Sequence, residues 1–502
     1  MTLHLSIVLF LPLAFGVLGL LAPPRLAGWL ALLGTALVLG YAITFIVDFD
    51  ASADGLQYVT DDAWIRELGI SYKLGLDGLN LFLVALTGIL FFFCTLWATF
   101  REWDRPRLFY FHFLLAETAV LGALMAQDLA LFVVFFDLML VPFFFLTGQW
   151  GEGRRVQATM KLVIYTLVGS LLMLTAAIAT GVIAAKGPAE LSFAFSDLAQ
   201  RQLSSSSQEW IFLFFAAAFL VKMPAFPLHG WMPDGYRTMP LPALALFSAV
   251  LSKVAAYGFL RICLPLFPDA TSHFQTLMLL LALASILYGS AQAFTQTHAR
   301  LILGYSSMAQ LGFITLGIFA ADRAGAGAQG ALLQAVNHGL VVAPMLFFVA
   351  LLAERTAGSE DIRDMGGIAF RAPVMAVMFL VATLATLAMP GSANFVGEFL
   401  ILFGVFNTKM PFAFIASIGV VLASVYALRM YIRSMHNRAG AAVTSFDMSV
   451  RDGLVIVPLV VAVVAFALYP QQALHHSEPA VKASVAPMRQ AATASQHAQV
   501  TP

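Results

Sequence analysis

Five ionisable side chains interrupt long apolar stretches of this 502-residue chain: Asp137, Lys222, Lys253, His338 and Glu398. Moving a charge from water into hydrocarbon is costly, so such residues face one another or a hydrated interior, where they handle ions or protons. Burial favours the neutral amine of a lysine, and a neighbouring carboxylate favours the ammonium. A lysine caught between the two exchanges its proton when the carboxylate moves or changes state. Asp137 and Lys222 suit that role as a pair, with Lys253 as a relay towards His338 and Glu398. Asp137 falls eight residues into its stretch, ~12 Å deep at 1.5 Å per residue, and the other four lie at similar depth. The competing reading makes Asp137 and Lys222 a structural ion pair that joins two helices. Desolvation of a buried pair can exceed its Coulomb gain, and a chain with few charges that gathers several at one depth favours the transfer role.

The elements that must position these groups are membrane spans. Apolar residues make up 60% of the chain and charged residues 11%, against ~25% charged in a typical globular domain. Mean hydropathy is +0.87 and there are 44 phenylalanines. Such a composition cannot cover a water-facing surface, so the fold class is an all-α polytopic membrane protein. Fourteen stretches are long enough to cross ~30 Å of hydrocarbon: 3–21, 27–47, 78–100, 108–127, 129–148, 162–184, 211–229, 239–264, 274–294, 300–320, 329–353, 373–407 (interrupted), 411–435 and 452–469. The first lacks a basic leader and reads as a span rather than a signal peptide. The acidic loop 48–77, with Trp64, suits an interface, and the Ala-, Gln-, Ser- and Pro-rich tail from Gln471 reads as a disordered end.

Loops after odd-numbered spans hold about 16 basic residues and the opposite loops about 8, which predicts both termini on the outer, periplasmic side. Two spans carry breaks, at Lys222-Met223-Pro224-Ala225-Phe226-Pro227 and at Met389-Pro390-Gly391-Ser392-Ala393-Asn394. Proline frees a carbonyl that lipid cannot satisfy, so both breaks must face protein or a hydrated cavity. They lie five spans apart. A unit of five spans reverses its direction through the membrane, so spans 4–8 and 9–13 read as inverted repeats, the pattern of a transport pathway. The chain then divides into 1–107 (three spans and a periplasmic-side loop), 108–264 (first repeat), 265–435 (second repeat) and 436–502 (last span and tail).

Other chemistry is excluded or weak. Lys+Arg and Asp+Glu number 27 each, so no net charge recruits nucleic acid. Cys94 and Cys263 make no ligand spacing, which argues against a metal site, an iron–sulfur cluster or any redox centre in this chain. No phosphate-binding glycine loop or catalytic triad appears. His229 is a cap or a proton carrier, His298 and Arg300 form a proton-uptake site or a solvated turn, and Arg261 and Asp269 read as interfacial.

Several stretches carry a resemblance to the antiporter-like membrane subunits of respiratory complex I over roughly spans 3–13. They are Leu74-Gly75-Leu76-Asp77-Gly78-Leu79, the run Phe219 to Asp234, Leu251-Ser252-Lys253-Val254-Ala255-Ala256-Tyr257-Gly258, Gly304-Tyr305-Ser306-Ser307 and Met389 to Phe399. The last, with Glu398, resembles the M type more than the L or N types. The resemblance implies proton transfer through Asp137, Lys222, Lys253, His338 and Glu398. It also implies L- and N-type partner subunits, a bilayer location in the bacterial inner membrane, and NADH, flavin, iron–sulfur clusters and quinone held by partners rather than by this chain. Asp137 stands where the family usually has glutamate, Gly235-Tyr236 where it has Ala-His, Gln310 where histidine is common and His298 where aspartate is common. Alternatives are an antiporter-like subunit of a multisubunit cation/proton antiporter or a membrane-bound hydrogenase, a self-contained solute transporter, and an inert helical scaffold.

Overall fold

The computed structural model describes residues 4–53, 55–187, 190–201 and 203–500. Fifteen principal helices run in chain order: α1 Leu5–Leu21, α2 Pro24–Asp48, α3 Leu81–Thr99, α4 Pro106–Met125, α5 Leu129–Trp150, α6 Arg155–Ala184, α7 Ser205–Lys222, α8 Leu241–Leu266, α9 Gln275–Thr295, α10 Ala299–Ile318, α11 Ala326–Arg355, α12 Pro373–Thr386, α13 Ala393–Met435, α14 Val450–Leu468 and α15 Gln471–Val500. Eleven of these are long and apolar enough to cross a membrane. The interrupted span 373–407 is α12 followed, after a break, by the first part of α13. Non-helical backbone at Lys409, beside Pro411, then bends α13 so that its second part forms the next span.

Burial separates an inner set of helices from an outer one. An apolar 18-residue stretch of α8 and one of α10 are wholly buried and that of α11 is 94% buried, against 33% for α2, α13 and α14. The outer helices turn aliphatic and aromatic side chains outward, such as Ile164, Leu167 and Leu171 on α6 and Phe399 and Phe403 on α13. That is the surface lipid requires, since hydrocarbon does not penalise it. The inner helices α8, α10 and α11 carry Lys253, Gln310 and His338, so the polar groups sit where the fewest lipid contacts are made.

Between α2 and α3 the acidic loop forms a two-stranded antiparallel hairpin, β1 Gln57–Ile65 and β2 Ile70–Leu76, with Thr60 opposite Leu74 and Ala63 opposite Ser71. Its turn ends at Gly69 (φ 63°), where a Cβ would collide with the backbone of Leu191. The hairpin and the 191–195 segment are joined to the start of α5 through Phe193 N–H to Gly69 O (3.2 Å), Leu129 N–H to Phe193 O (2.7 Å) and Gln127 N–H to Lys73 O (2.8 Å). This face is the hairpin side; the opposite, arginine-rich face is the basic side.

The tail from Gln471 differs from the disordered end its composition suggests. It forms α15, which packs on the hairpin side against α8, α11 and the short helix Pro268–His273. Ala473, Ser477, Val481, Ser484, Val485 and Met488 are buried, and their three- and four-residue spacing is one face of a helix. The Ser484 hydroxyl donates to Leu260 O (2.5 Å).

Candidate functional site

Four of the five ionisable groups sit at a local fault in their helix, His338 lying within the continuous helix α11, and the sequence explains most of the faults. In α5, Pro142 has no N–H for the carbonyl of Leu138 and its ring crowds that carbonyl. The hydrogen-bond ladder is accordingly disturbed at Met139, two residues after Asp137, while the backbone there stays right-handed helical (φ −57°, ψ −26°). In α7, Lys222 is the last helical residue before Pro224 and Pro227. The carbonyl of Val221 freed by that break accepts from Trp231 Nε1 (3.0 Å), and the Phe226 N–H donates to Ser285 Oγ (2.9 Å). In α8, residues Phe247–Leu251 form a π-helical turn, a feature frequent at functional sites. The Ser248 carbonyl there accepts from Lys253 Nζ (2.6 Å) and from Ser252 Oγ (3.1 Å). Glu398 follows the break between α12 and α13, where Ala388 (φ 52°) and Gly391 (φ 90°) turn the chain.

Lys222, Lys253, His338 and Glu398 are all at least 96% buried, and Asp137 is partly buried. Asp137 and Lys222 make no contact ion pair but interact through space. Lys222 Nζ lies 4.8 Å from the centre of the Phe136 ring. Lys253 and His338 likewise interact through space, and His338 Nδ1 is buried without a hydrogen-bond partner. Glu398 Oε1 accepts from Gln310 Nε2 (2.7 Å) and Gln334 Nε2 (3.5 Å), and Gln334 also donates to Gln310 Oε1 (2.7 Å). Tyr426, whose hydroxyl bonds Ser306 Oγ (2.9 Å), feels the Glu398 charge. The five residues therefore fall into two coupled pairs and one carboxyl clamped by amides.

The edges hold several differences from the sequence reading. Arg261 is paired rather than free: its Nη2 lies 2.5 Å from Asp77 Oδ2, with the two side chains 14% and 12% exposed, and its Nε donates to Tyr257 Oη (3.0 Å). His229 caps no helix; its ring packs on Phe226 and Tyr288, and its Nδ1 is buried without a partner. On the basic side Arg300 grips Glu360 Oε1 through Nε (2.9 Å) and Nη2 (2.6 Å) and the Met239 carbonyl through Nη1 (2.8 Å). His298 lies 3.7 Å from Glu360. Burial holds its imidazole below the usual range, with Glu360 opposing. The hydrogen bonds from Arg363 hold the Asp361 carboxyl down at about 2.

Glu117, on α4, escaped the sequence reading. It is wholly buried and neither carboxyl oxygen has a hydrogen-bond partner. The signal was present, an acidic residue inside an apolar span, and the same rule that selects Asp137 selects it. Among the described residues no group of three or more His, Cys, Asp or Glu could hold a metal ion.

Residues 126–424 match the family model described as NADH:quinone oxidoreductase/Mrp antiporter, TM. The chain belongs to this family. It is 35% identical to NADH-quinone oxidoreductase subunit M of Rhodobacter capsulatus over 484 residues, 93% of each chain. It is also 35% identical to subunit M of Escherichia coli K12 over 472 residues, 90% of this chain and 91% of that one. Among solved structures, a chain of respiratory complex I from Thermus thermophilus with bound NADH superposes with a TM-score of 0.88 at 29% identity, over 97% of this chain and 100% of that chain. A chain of the Mrp complex from Dietzia sp. DQ12-45-1b gives 0.83 at 20% identity over 98% and 99%, a likeness of fold. The fold is thus the antiporter-like membrane fold, and the breaks after Lys222 and before Glu398 are two of its helix interruptions.

Proposed function

We propose that this chain is the M-type, proton-translocating membrane-arm subunit of an NADH:quinone oxidoreductase. The observation that carries the reading is the row of groups Asp137, Lys222, Lys253, His338 and Glu398, all but Asp137 fully buried and all but His338 beside a helix fault, in a chain that matches subunit M along nine-tenths of its length. Quinone reduction elsewhere in the complex drives changes in the Asp137–Lys222 interaction. Lys222 then exchanges its proton with Lys253, and the charge state of Lys253 acts on His338 and, beyond it, on Glu398. The chain holds no redox group: NADH, flavin, iron–sulfur clusters and quinone belong to partner subunits. L- and N-type subunits flank it in the bacterial inner membrane, both termini lie on the periplasmic side, and the functional halves are 108–264 and 265–435.

Affinity purification of the chain from its own membranes tests the assignment. Co-purification of L- and N-type subunits with NADH:quinone reductase activity supports it. Co-purification of small cation/proton antiporter subunits or hydrogenase subunits overturns it. Lys222→Ala in the assembled complex is expected to abolish proton pumping and coupled quinone reduction; normal pumping by this variant overturns the transfer role.

A further inference from the structure

The proton path to Lys253 needs a supply from the basic side, and the structure places a group of buried hydroxyls there, ending one residue's carbonyl-to-hydroxyl distance short of Lys253. The short helix Met232–Thr238 lies between α7 and α8 on that side. Tyr236, on this helix, is 2% exposed, and its Oη donates to Ser248 Oγ (2.8 Å). Ser248 Oγ lies 3.3 Å from Ser307 Oγ on α10. Ser248 belongs to the π-helical turn whose carbonyl receives Lys253 Nζ (2.6 Å), and Nζ also donates to Ser252 Oγ (3.2 Å). Ser248 therefore holds Tyr236 by its side chain and Lys253 by its backbone. All these groups are buried: Ser248 is 2%, Ser307 1% and Lys253 1% exposed.

The opposite face of the same short helix meets solvent. Asp234, Arg237 and Thr238 line a 540 Å³ cavity with Glu152, Arg154 and Gln157. In a helix, residues 234 and 238 share one face and 236 points the other way. One turn of helix thus separates a polar vestibule from the first hydroxyl of the chain. A packing role for Tyr236 is served by its ring, which lies against Gly304. It does not require a hydroxyl, and a buried hydroxyl without a partner would be costly. Nor does packing explain why the partner, Ser248, stands at the turn that receives Lys253.

We propose that Tyr236 and Ser248 form the proton-supply relay from the basic side to Lys253. A proton from water in the vestibule region reaches Tyr236 Oη as the phenol gives its own proton to Ser248 Oγ. The Ser248 hydroxyl proton then passes to the neutral amine of Lys253, whose flexible stem closes the last gap from the carbonyl to the hydroxyl of the same residue. Both hydroxyls end neutral, and Lys253 alone gains a charge. The relay rests on the proton-translocating reading above and adds a source to it.

The test uses the assembled complex in sealed membrane vesicles, with proton uptake and NADH-driven quinone reduction measured together. Tyr236→Phe keeps the ring and removes the hydroxyl; pumping is expected to fall about 100-fold, the low end for loss of a proton-transfer group. Tyr236→His restores much of it, because imidazole both accepts and donates. Ser248→Ala, a smaller change to packing, is expected to reproduce the Tyr236→Phe loss, and the double variant to be no worse than either single one. Full pumping by Tyr236→Phe, or by Ser248→Ala in an assembled complex, overturns the relay. Lys253→Ala serves as the control: if it pumps normally, the translocation reading itself fails, whereas its loss beside a fully active Tyr236→Phe rejects the relay alone.

Discussion

Lys222 Nζ rests 4.8 Å above the ring of Phe136, the residue that precedes Asp137 on α5. The ammonium is thus held by a π face while its carboxylate partner stands off, out of ion-pair contact. A ring face attracts a cation by about 0.5–2 kcal/mol, less than a contact ion pair in the same interior would. Such an arrangement keeps the lysine in place without fixing its proton.

Lys222→Arg separates charge from proton exchange. Arginine retains the cation and the π contact but does not deprotonate in proteins. The variant is expected to assemble and to lose at least ~90% of pumping, since a proton-transfer group contributes 10²–10⁴-fold. Proton uptake by vesicles measures this, and pumping at the native rate by Lys222→Arg would show that only the fixed charge matters.

The spans were legible because lipid imposes a one-dimensional rule, a long apolar run, on the chain. The breaks at Pro224 and at Pro390-Gly391 were legible because proline and glycine act locally. Pro142 was not, since a lone proline within Leu140–Phe145 leaves the hydropathy intact while distorting the helix at Asp137. The Arg261–Asp77 pair joins residues 184 apart, and nothing along the chain marks such a contact. In the tail, the bulk composition concealed a buried stripe of small residues. For the site, sequence selected the five groups; which ones couple, and the amide clamp on Glu398, depended on packing between α10, α11 and α13.

The tail helix provides a direct check. Val481 and Val485 are 1% and 2% exposed on its packed face. Val485→Asp buries an unpaired carboxylate and is expected to release α15, exposing sites beyond Gln471 to added protease. Ala483, one helix face away, should accept Asp with native protection. Equal protection for both variants would mean that the stripe does not hold the helix.

Asp77 and Arg261 form a nearly buried ion pair, and removing one partner strands the other. Breaking such a pair costs about 3–5 kcal/mol. Asp77→Asn is therefore expected to lower the amount of chain in the assembled complex, read by immunoblot after detergent extraction. Asp77→Leu with Arg261→Met should recover most of it; no difference between the single and double variants would remove the pair from the stability of this face.

Glu117 presents the opposite case. Its two carboxyl oxygens are buried without partners, and replacing an unsatisfied polar group by an apolar one of similar size is neutral or stabilising by about 1–3 kcal/mol. Glu117→Leu is expected to raise the temperature at which the complex loses activity, with pumping intact. A drop in pumping at unchanged stability would make Glu117 a sixth member of the proton path.

The second half turns on Glu398. Its Oε1 is held by Gln310 and Gln334, whose amides donate protons in hydrogen bonds but do not release them under ordinary conditions. If protons leave through this half, the carboxyl of Glu398 must itself alternate between acid and anion. Glu398→Gln preserves shape and places a third amide in the cluster, so it removes the alternation alone. Pumping is expected to fall severalfold or more with the complex assembled, in line with loss of an acid–base group. Glu398→Asp, one methylene shorter, retains part of the rate because the carboxyl remains but reaches Gln310 less well. Lys409, at the bend of α13, is partly exposed, and Lys409→Gln should leave pumping at the native rate. Proton uptake in vesicles bearing each variant decides among them. Native pumping by Glu398→Gln would make the carboxyl a structural anchor for α10 and α11 and would leave His338, whose Nδ1 is free of partners, as the group that must release the proton.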